Sequence, residues 1–442
     1  MAKVRNSFEL PPLFTRKCYV MEMTEEWIYF FWNTRNFDHH DLCTVDTQPI
    51  QILQYGNRNR ASGPDFIHAS VKLGDLIWHG NIEMHVLTSD WQKHDHQKDE
   101  AYDNVILHVV WKHDWDPTQG RIPVLELCER VSADLLARCA RVAVTPAWLP
   151  CESLLSEGAF ARFALWKDSL VTARLDRRLE EAERAAVGQN LDWDAKMYRL
   201  LCMYLSGKEN KACGEQLAMR LPLQILERNR HAPLSILSMV LGVSGCLGDV
   251  TDPALQDYLM QEYQFYERKY GLLPIKSGSW RRFGMRAAGM PVRRLSQLAA
   301  FLSRKTRFQG EVTRCRTVAE LYQILDVDLP DDERWRQLLP AARLFTQEIK
   351  EMVVLNVFLP LWFKYASDLN QQVKDQVIFD ILLSLPPEKN QICMKYKKFG
   401  FEVRSALDSQ ALLELRSEYC VQKRCASCSV GQYIFTNTKE IF

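Results

Sequence analysis

No stretch of the chain reaches 18 consecutive apolar residues, which excludes an evident membrane-spanning helix. The opening MAKVRNSFELPPLFTRKCYV lacks the apolar run of a secretory signal. Neither G-x4-G-K-[ST] nor G-x-S-x-G occurs, so the phosphate-binding loop and the strained serine elbow are both missing. No fixed period recurs, which argues against a stacked-repeat solenoid. Excess charge of either sign is lacking too. At a formal net charge of +1, any surface for nucleic acid must be local. Thirteen cysteines are present, but without the regular spacing of a disulfide framework, so reduced thiols and a cytoplasmic chain are expected.

What remains is ordinary globular composition, 47% hydrophobic and 25% charged, in a chain of 442 residues that is too long for one core. Residues 24–35, TEEWIYFFWNTR, read as a helix, with Thr24 as N-cap and two acids in the first turn. From 48 to 127 short β-type runs follow: PIQILQYG, DFIHASVKLG, DLIWHGNIEMHVL, NVILHVVWKHD and IPVLEL, with LGD as a hairpin turn. SDWQKHDHQKDEAYDN between them is too long for a tight turn and is read as a short helix or a functional loop. Beyond 130 the periodicity is helical throughout. The expected fold class is therefore an α+β N-terminal domain, a mixed sheet with flanking helices, followed by a larger all-α region. Expected boundaries are 1–22 (an extension), 23–145 (the α/β domain) and 146–442 (the helical region), with the junction near VTPAWLPCES.

Nine of the ten histidines lie between His39 and His113, in a region dense in Asp and Glu. Such enrichment suits a divalent-metal site: carboxylate oxygens for Mg²⁺ or Mn²⁺, imidazole as ligand or base. For a single histidine a satisfied core or surface role is the commoner outcome, so the weight falls on a set. Within the strand GNIEMHV, Glu83 and His85 project to one face. If DFIHASVKL is its hairpin neighbour, Asp65 lies near the same sheet end. Two carboxylates and a base there suffice for phosphodiester hydrolysis, the carboxylates holding the metal and the third group orienting or deprotonating water. In HDHQKDEAYDN, His94 and His96 share a face if extended and Asp99 and Asp103 are i,i+4 neighbours; a solvated loop is favoured there over a second metal or phosphate contact. Trp78, Trp91 and Tyr102 are read as core or loop anchors rather than base-stacking platforms.

The succession of helix, strands, Gly-Pro-Asp and Glu-x-His resembles the core of the PD-(D/E)XK nuclease superfamily. The resemblance implies that Pro64-Asp65 matches the PD, Glu83 the acidic position and His85 the usual lysine. It also implies that Glu25 or Glu26, of which Glu26 is taken, is the helical acid that completes the metal set Asp65, Glu83 and Glu26. MTEEWIYFFWNTRNF, the stretch from Ser62 to Trp111, and SQALLELRSEYCVQKRCASC further resemble an uncharacterised bacterial family that carries no activity to transfer.

Cys420-x4-Cys425-x2-Cys428 is the one tight thiol grouping. C-x2-C can grip one metal, and a third thiol makes a Zn²⁺ or iron–sulfur site the reading to set against three free thiols. Cys151 and Cys393 are candidates for a fourth ligand, Cys151 first. Cys18, Cys43, Cys202, Cys213, Cys246 and Cys315 read as small apolar residues. From Gly271 to Gly310 there are nine Lys or Arg and no acid, including Lys276, Arg281, Arg282, Arg286, Arg293, Arg294, Arg304, Lys305 and Arg307. Such a segment either binds a DNA or RNA phosphate backbone or pairs with the acidic N-terminal domain. The leading expectation is a metal-dependent nuclease or a nuclease-derived nucleic-acid-binding protein. The alternative is a non-catalytic scaffold on a degenerate nuclease-like fold, suggested by histidine in the lysine position.

Overall fold

The computed structural model describes residues 22–59, 62–114, 122–184, 192–340, 344–368 and 372–437. The 1–22 extension lies almost wholly outside them, as does Cys18. Helix α1 (Glu25–Asn33) opens the described chain with Thr24 in extended conformation at its N-cap. Glu25 and Glu26 in its first turn meet the positive end of the helix dipole. Its remaining side chains from Trp27 to Trp32 are all buried, so the helix is enclosed on every side.

The strands are β1 (Ile50–Gln54), β2 (Asn57–Arg58), β3 (Phe66–Leu73), β4 (Leu76–Leu87), β5 (Val105–Lys112) and β6 (Val124–Glu126). They form one sheet in the order β1-β3-β4-β5-β6, with β2 also on β3. Pairs on the β3 side are antiparallel, while β4–β5 and β5–β6 are parallel. The β3–β4 turn is the two residues Gly74-Asp75, and Gly74 takes φ 57°, the left-handed region that hairpin turns require. The parallel β4–β5 connection cannot be a tight turn. It runs through the short helix α2 (Asp90–Lys93) and two 3₁₀ turns, His96–Lys98 and Glu100–Tyr102. These bring a polar segment over the sheet end.

Two compact units divide the chain. One comprises 1–167, 391–402 and 412–442; the other comprises 168–390 and 403–411. This revises the expected division at 145/146: the cysteine-bearing C-terminal segment returns to the sheet-containing unit. The cause is packing between residues remote in sequence. Phe435 is fully buried, with its ring centroid 5.5 Å from Trp27 and 5.6 Å from Phe30 of α1. The second unit is helical in its described residues. Its helix Pro233–Ser244 is buried from Leu234 onward, and a π-helical stretch, Val354–Phe358, precedes Pro360, whose missing N–H interrupts the ordinary ladder. No described helix is long and apolar enough to cross a membrane.

Candidate metal centre

A β-bulge sets the site. Ala69 pairs with Gly80, yet Phe66 pairs with Ile82, so Ile67 and His68 together face one residue of β4. His68 absorbs the extra length at φ 59°. Continuing the Phe66–Ile82 register places Asp65 opposite Glu83. Without the bulge Asp65 would oppose Met84, whose side chain points to the other face. The Asp65 N–H donates to Glu83 Oε2 at 3.0 Å, and the Met84 N–H donates to Asp65 Oδ2 at 3.0 Å. The Tyr29 hydroxyl donates to Asp65 Oδ1 at 2.8 Å and lies 3.3 Å from Glu25 Oε2. Each oxygen of Asp65 thus accepts one hydrogen bond, and its N–H holds Glu83.

Glu83 is left with Oε1 free to face inward. That oxygen lies 3.8 Å from His85 Nε2 and 3.4 Å from His96 Nε2. His85 Nε2 is also 3.1 Å from His94 Nδ1. Among the described residues, His85, His94 and His96 bring one ligand atom each within 4.8 Å of one another. Metal–nitrogen bonds of about 2.1 Å place neighbouring donors roughly 3.0–3.4 Å apart, so the cluster needs little contraction around an ion. His96 Nε2 is buried without a hydrogen-bond partner, the Glu83 approach having the wrong geometry for one. A buried lone pair left unsatisfied costs about 1–3 kcal/mol. A cation between these donors would satisfy it, so the residues fit a metal.

His108 on β5 stands behind His85, with Nε2 2.9 Å from His85 Nδ1. A neutral His85 with its proton on Nδ1, donated to His108, keeps the Nε2 lone pair for the cluster. Burial, then the neighbouring imidazoles, push His85 down to about 2, and burial pushes His108 down to about 3, so both are neutral near pH 7. Burial, then Asp65, push Glu83 up to about 8. Asp65 and Glu25 are raised as well, each chiefly by burial. A divalent cation is the charge that reverses this logic and ionises Glu83. The rim carries the opposite sign: the Arg58 guanidinium lies 4.1 Å from the Tyr29 ring centroid and, with the hydrogen bonds from Tyr29 and Met84, opposes without cancelling the rise that burial imposes on Asp65.

The structure thus brings Asp65, Glu83 and His85 together but turns Glu26 away. Glu26 Oε1 accepts from Arg424 at 2.7 Å, and Glu25 is the α1 acid that approaches the site. His94 and His96, which the sequence favoured as part of a solvated loop, enter the cluster because the connection folds back over the sheet. The Leu87 N–H donates to Asp90 Oδ2 at 3.0 Å, and Asp95 takes φ 58°. Trp91 and Tyr102 brace the imidazoles, with Tyr102 and His96 ring centroids 3.9 Å apart and Trp91 5.3 Å from His96. Trp78 sits half-exposed in the hairpin. The signal that could have found His94, His96 and His108 was their number within one strand–loop–strand unit.

The basic segment lies in the second unit and is partly neutralised there. Arg282 grips Asp249 through Nε and Nη2, the latter at 2.8 Å, and Arg281 pairs with Glu209 at 3.1 Å. Arg307 pairs with Glu227 at 2.7 Å and Lys305 with Glu311 at 2.6 Å. Arg286, Arg293 and Arg294 meet no carboxylate among the described residues. Cys202, Cys213, Cys246 and Cys315 are buried and Cys43 is half-buried.

Comparison with curated proteins and with solved structures finds no match. Residues 25–391 match the family model described as a protein of unknown function, DUF2851, and the chain belongs to that family.

Proposed function

We propose that the sheet-containing unit is a metal-dependent phosphodiesterase acting on nucleic acid. The observation that carries this reading is the meeting of nitrogens of His85, His94 and His96, with Glu83 Oε1 3.8 Å from His85 Nε2 and 3.4 Å from a His96 Nε2 that is buried without a partner. Imidazole-rich donors favour Mn²⁺ or a similar transition ion over Mg²⁺, which prefers oxygen. Such an ion, when bound, supplies a Lewis acid for a phosphoryl oxygen and a more acidic water. His108 orients His85, and Asp65 holds Glu83. Glu25, its carboxyl raised by burial, is the group assigned to take the proton of the attacking water. Arg58 on the rim is placed to receive a phosphate.

The helix, the Asp65–Glu83 hairpin and the following parallel strand support a PD-(D/E)XK-like core in which His85 is a ligand rather than a stand-in for lysine. Nucleic acid as the partner is further supported by Arg286, Arg293 and Arg294, which have no carboxylate partner among the described residues. One observation favours the non-catalytic scaffold instead: four protein donors close a tetrahedral ion such as Zn²⁺, whereas a six-coordinate ion keeps two open positions. The test is cleavage of labelled single- and double-stranded DNA and RNA with Mn²⁺, Mg²⁺ or Zn²⁺. Cleavage that requires Mn²⁺ and disappears in His96→Ala supports the phosphodiesterase. Tight stoichiometric zinc without cleavage of any substrate supports the scaffold.

A further inference from the structure

A groove of about 810 Å³ opens along strand β1, in the same unit as the histidine site and within the range of about 300–1,000 Å³ that ligand pockets occupy. Its lining takes in β1, the edge strand of the sheet, and the turn Tyr55-Gly56 that leads into β2. The loop after α1 supplies Arg35 and His39, and β3 supplies His68. Gly56, at φ 78°, seats the turn against β3, for a Cβ there would lie 2.9 Å from Ile67 O. Two non-glycine residues of the lining also hold left-handed backbone, Arg35 at φ 55° and His68 at φ 59°. Such conformations persist only where the surroundings enforce them, and they gather at functional sites.

The wall is fixed by hydrogen bonds. Trp32 Nε1 donates to Tyr55 O at 3.0 Å, and the Tyr55 hydroxyl lies 3.1 Å from His39 Nδ1. The Arg35 guanidinium lies over the Tyr55 ring, 4.7 Å from its centroid, and has no carboxylate partner among the described residues. A guanidinium held over a ring still offers N–H donors to an oxyanion. The chain carries 55 acids against 56 Lys and Arg, yet no described residue of the lining is Asp or Glu. Gln51 and Asn57 add exposed amides, and Gln54, whose Oε1 accepts from Ser70 Oγ at 3.2 Å, keeps its NH₂. Amides pair donor with acceptor as base edges do.

An added peptide strand is the other occupant that an edge strand invites. β1 is poorly built for it. Its register shifts between Ile52 and Gln54, and such a bulge breaks the ladder that an incoming strand would extend. The Ile50 N–H already donates to Leu42 O at 2.9 Å, and Cys43 bridges Pro49 beside it. An uncommitted cation, amides and the lack of acids suit a nucleic-acid strand instead. The groove also adjoins the histidine site. Asn57 lines it, while Arg58, the next residue of β2, lies on the rim of that site. The bulge that sets Asp65 opposite Glu83 likewise places His68 in the groove lining.

We propose that this groove holds a single-stranded segment of nucleic acid that continues from the histidine site. Arg35 binds a phosphate, and Gln51, Gln54 and Asn57 bind base edges. The inference rests on the phosphodiesterase reading above and makes its substrate a strand with unpaired bases. A concave track receives a single strand, whereas a duplex is read by an element that projects into its own groove.

The experiment uses the full chain in EDTA, where no metal supports cleavage. Fluorescence anisotropy compares labelled single strands of DNA and RNA with duplexes of the same sequence, over a range of salt. Single strands are expected to bind more tightly than duplexes. Arg35→Gly removes the cation and accepts the left-handed backbone without strain. It should weaken single-strand binding about tenfold and lower the slope of log K against log salt by about 0.7, one phosphate's share. Gln51→Ala combined with Asn57→Ala, at exposed positions that the fold tolerates, should weaken binding severalfold at an unchanged slope. Arg141→Gln, which removes an exposed charge of the same unit, should leave both readings as in wild type. Equal binding of duplex and single strand, or wild-type affinity and slope in Arg35→Gly, overturns the assignment. Absence of nucleic-acid binding at any salt overturns it too and leaves the edge of β1 to a peptide strand. Cleavage with Mn²⁺ is scored separately. Cleavage that is indifferent to Arg35 keeps the phosphodiesterase and removes the groove, whereas Arg35-dependent binding without cleavage keeps the groove and removes the phosphodiesterase.

Discussion

Replacing Glu83 with glutamine tests the electrostatics of the histidine site in both its states. Burial and Asp65 raise Glu83 from 4.5 to about 8 in the metal-free protein. In the unfolded chain the carboxyl ionises near its ordinary value, so from about pH 4.5 to 8 the unfolded state sheds a proton that the native state keeps. A raised native value means that the stability is fully present below the unfolded value and is lost as pH climbs through the folded one. At pH 7 the loss is roughly 3 kcal/mol, and above pH 8 it approaches about 5 kcal/mol. Glutamine has no such proton and still offers an oxygen to the Asp65 N–H. Metal-free Glu83→Gln is therefore expected to be more stable than wild type by about 3 kcal/mol at pH 7, with little difference near pH 4.5. Mn²⁺ at a thousandfold its Kd inverts the order, since it adds about 4.1 kcal/mol to the form that binds it. Guanidinium unfolding followed by tryptophan fluorescence at pH 5, 7 and 9, with EDTA or Mn²⁺, gives the comparison. Parallel pH profiles for the two proteins in EDTA would refute the reasoning.

The bulge at Ile67-His68 is expected to control metal uptake: His68→Val puts a β-branched residue at φ 59°, opposes the bulge and weakens Mn²⁺ binding, measured by calorimetry, whereas His68→Gly retains it. Unchanged binding in His68→Val would show that the bulge is not what holds Glu83 in register. Phe435→Ala removes a fully buried ring packed on Trp27 and Phe30, and is expected to cost about 3–5 kcal/mol in denaturant unfolding. A cost below about 1 kcal/mol would contradict the packing of the C-terminal segment on α1. Metal uptake at pH 7 should release about one proton per ion, from Glu83, and about none at pH 9, because His85 and His108 are already neutral. Calorimetry in buffers of different ionisation enthalpy reads that number, and equal release at both pH values would contradict it.

The elements were legible where periodicity carried them. The α1 aromatics, the five main β-runs and the two-residue Gly74-Asp75 turn follow from local pattern and turn chemistry. Asp65 with Glu83 and His85 was legible for the same reason, since alternation along β4 fixes a face. What local pattern could not carry was the fold-back of the β4–β5 connection. His94 and His96 sit among residues whose polarity equally suits solvent, and only packing on Trp91 and Tyr102 directs them inward. The choice between Glu25 and Glu26 was not legible either, because adjacent helical residues differ by about 100° in direction, and Arg424, nearly 400 residues away, pairs with Glu26. The return of the C-terminal segment to the first unit rests likewise on remote packing, and a linear boundary drawn at the prolines could not express it.

The measurement that bears most directly on the central claim is anomalous X-ray diffraction from crystals soaked in Mn²⁺ after EDTA treatment. The account predicts one strong anomalous peak per chain, about 2.1–2.2 Å from Glu83 Oε1 and from a nitrogen of each of His85, His94 and His96, with His108 hydrogen-bonded behind His85. A site without density, with His96 Nε2 satisfied by water or by a repositioned side chain, would contradict it.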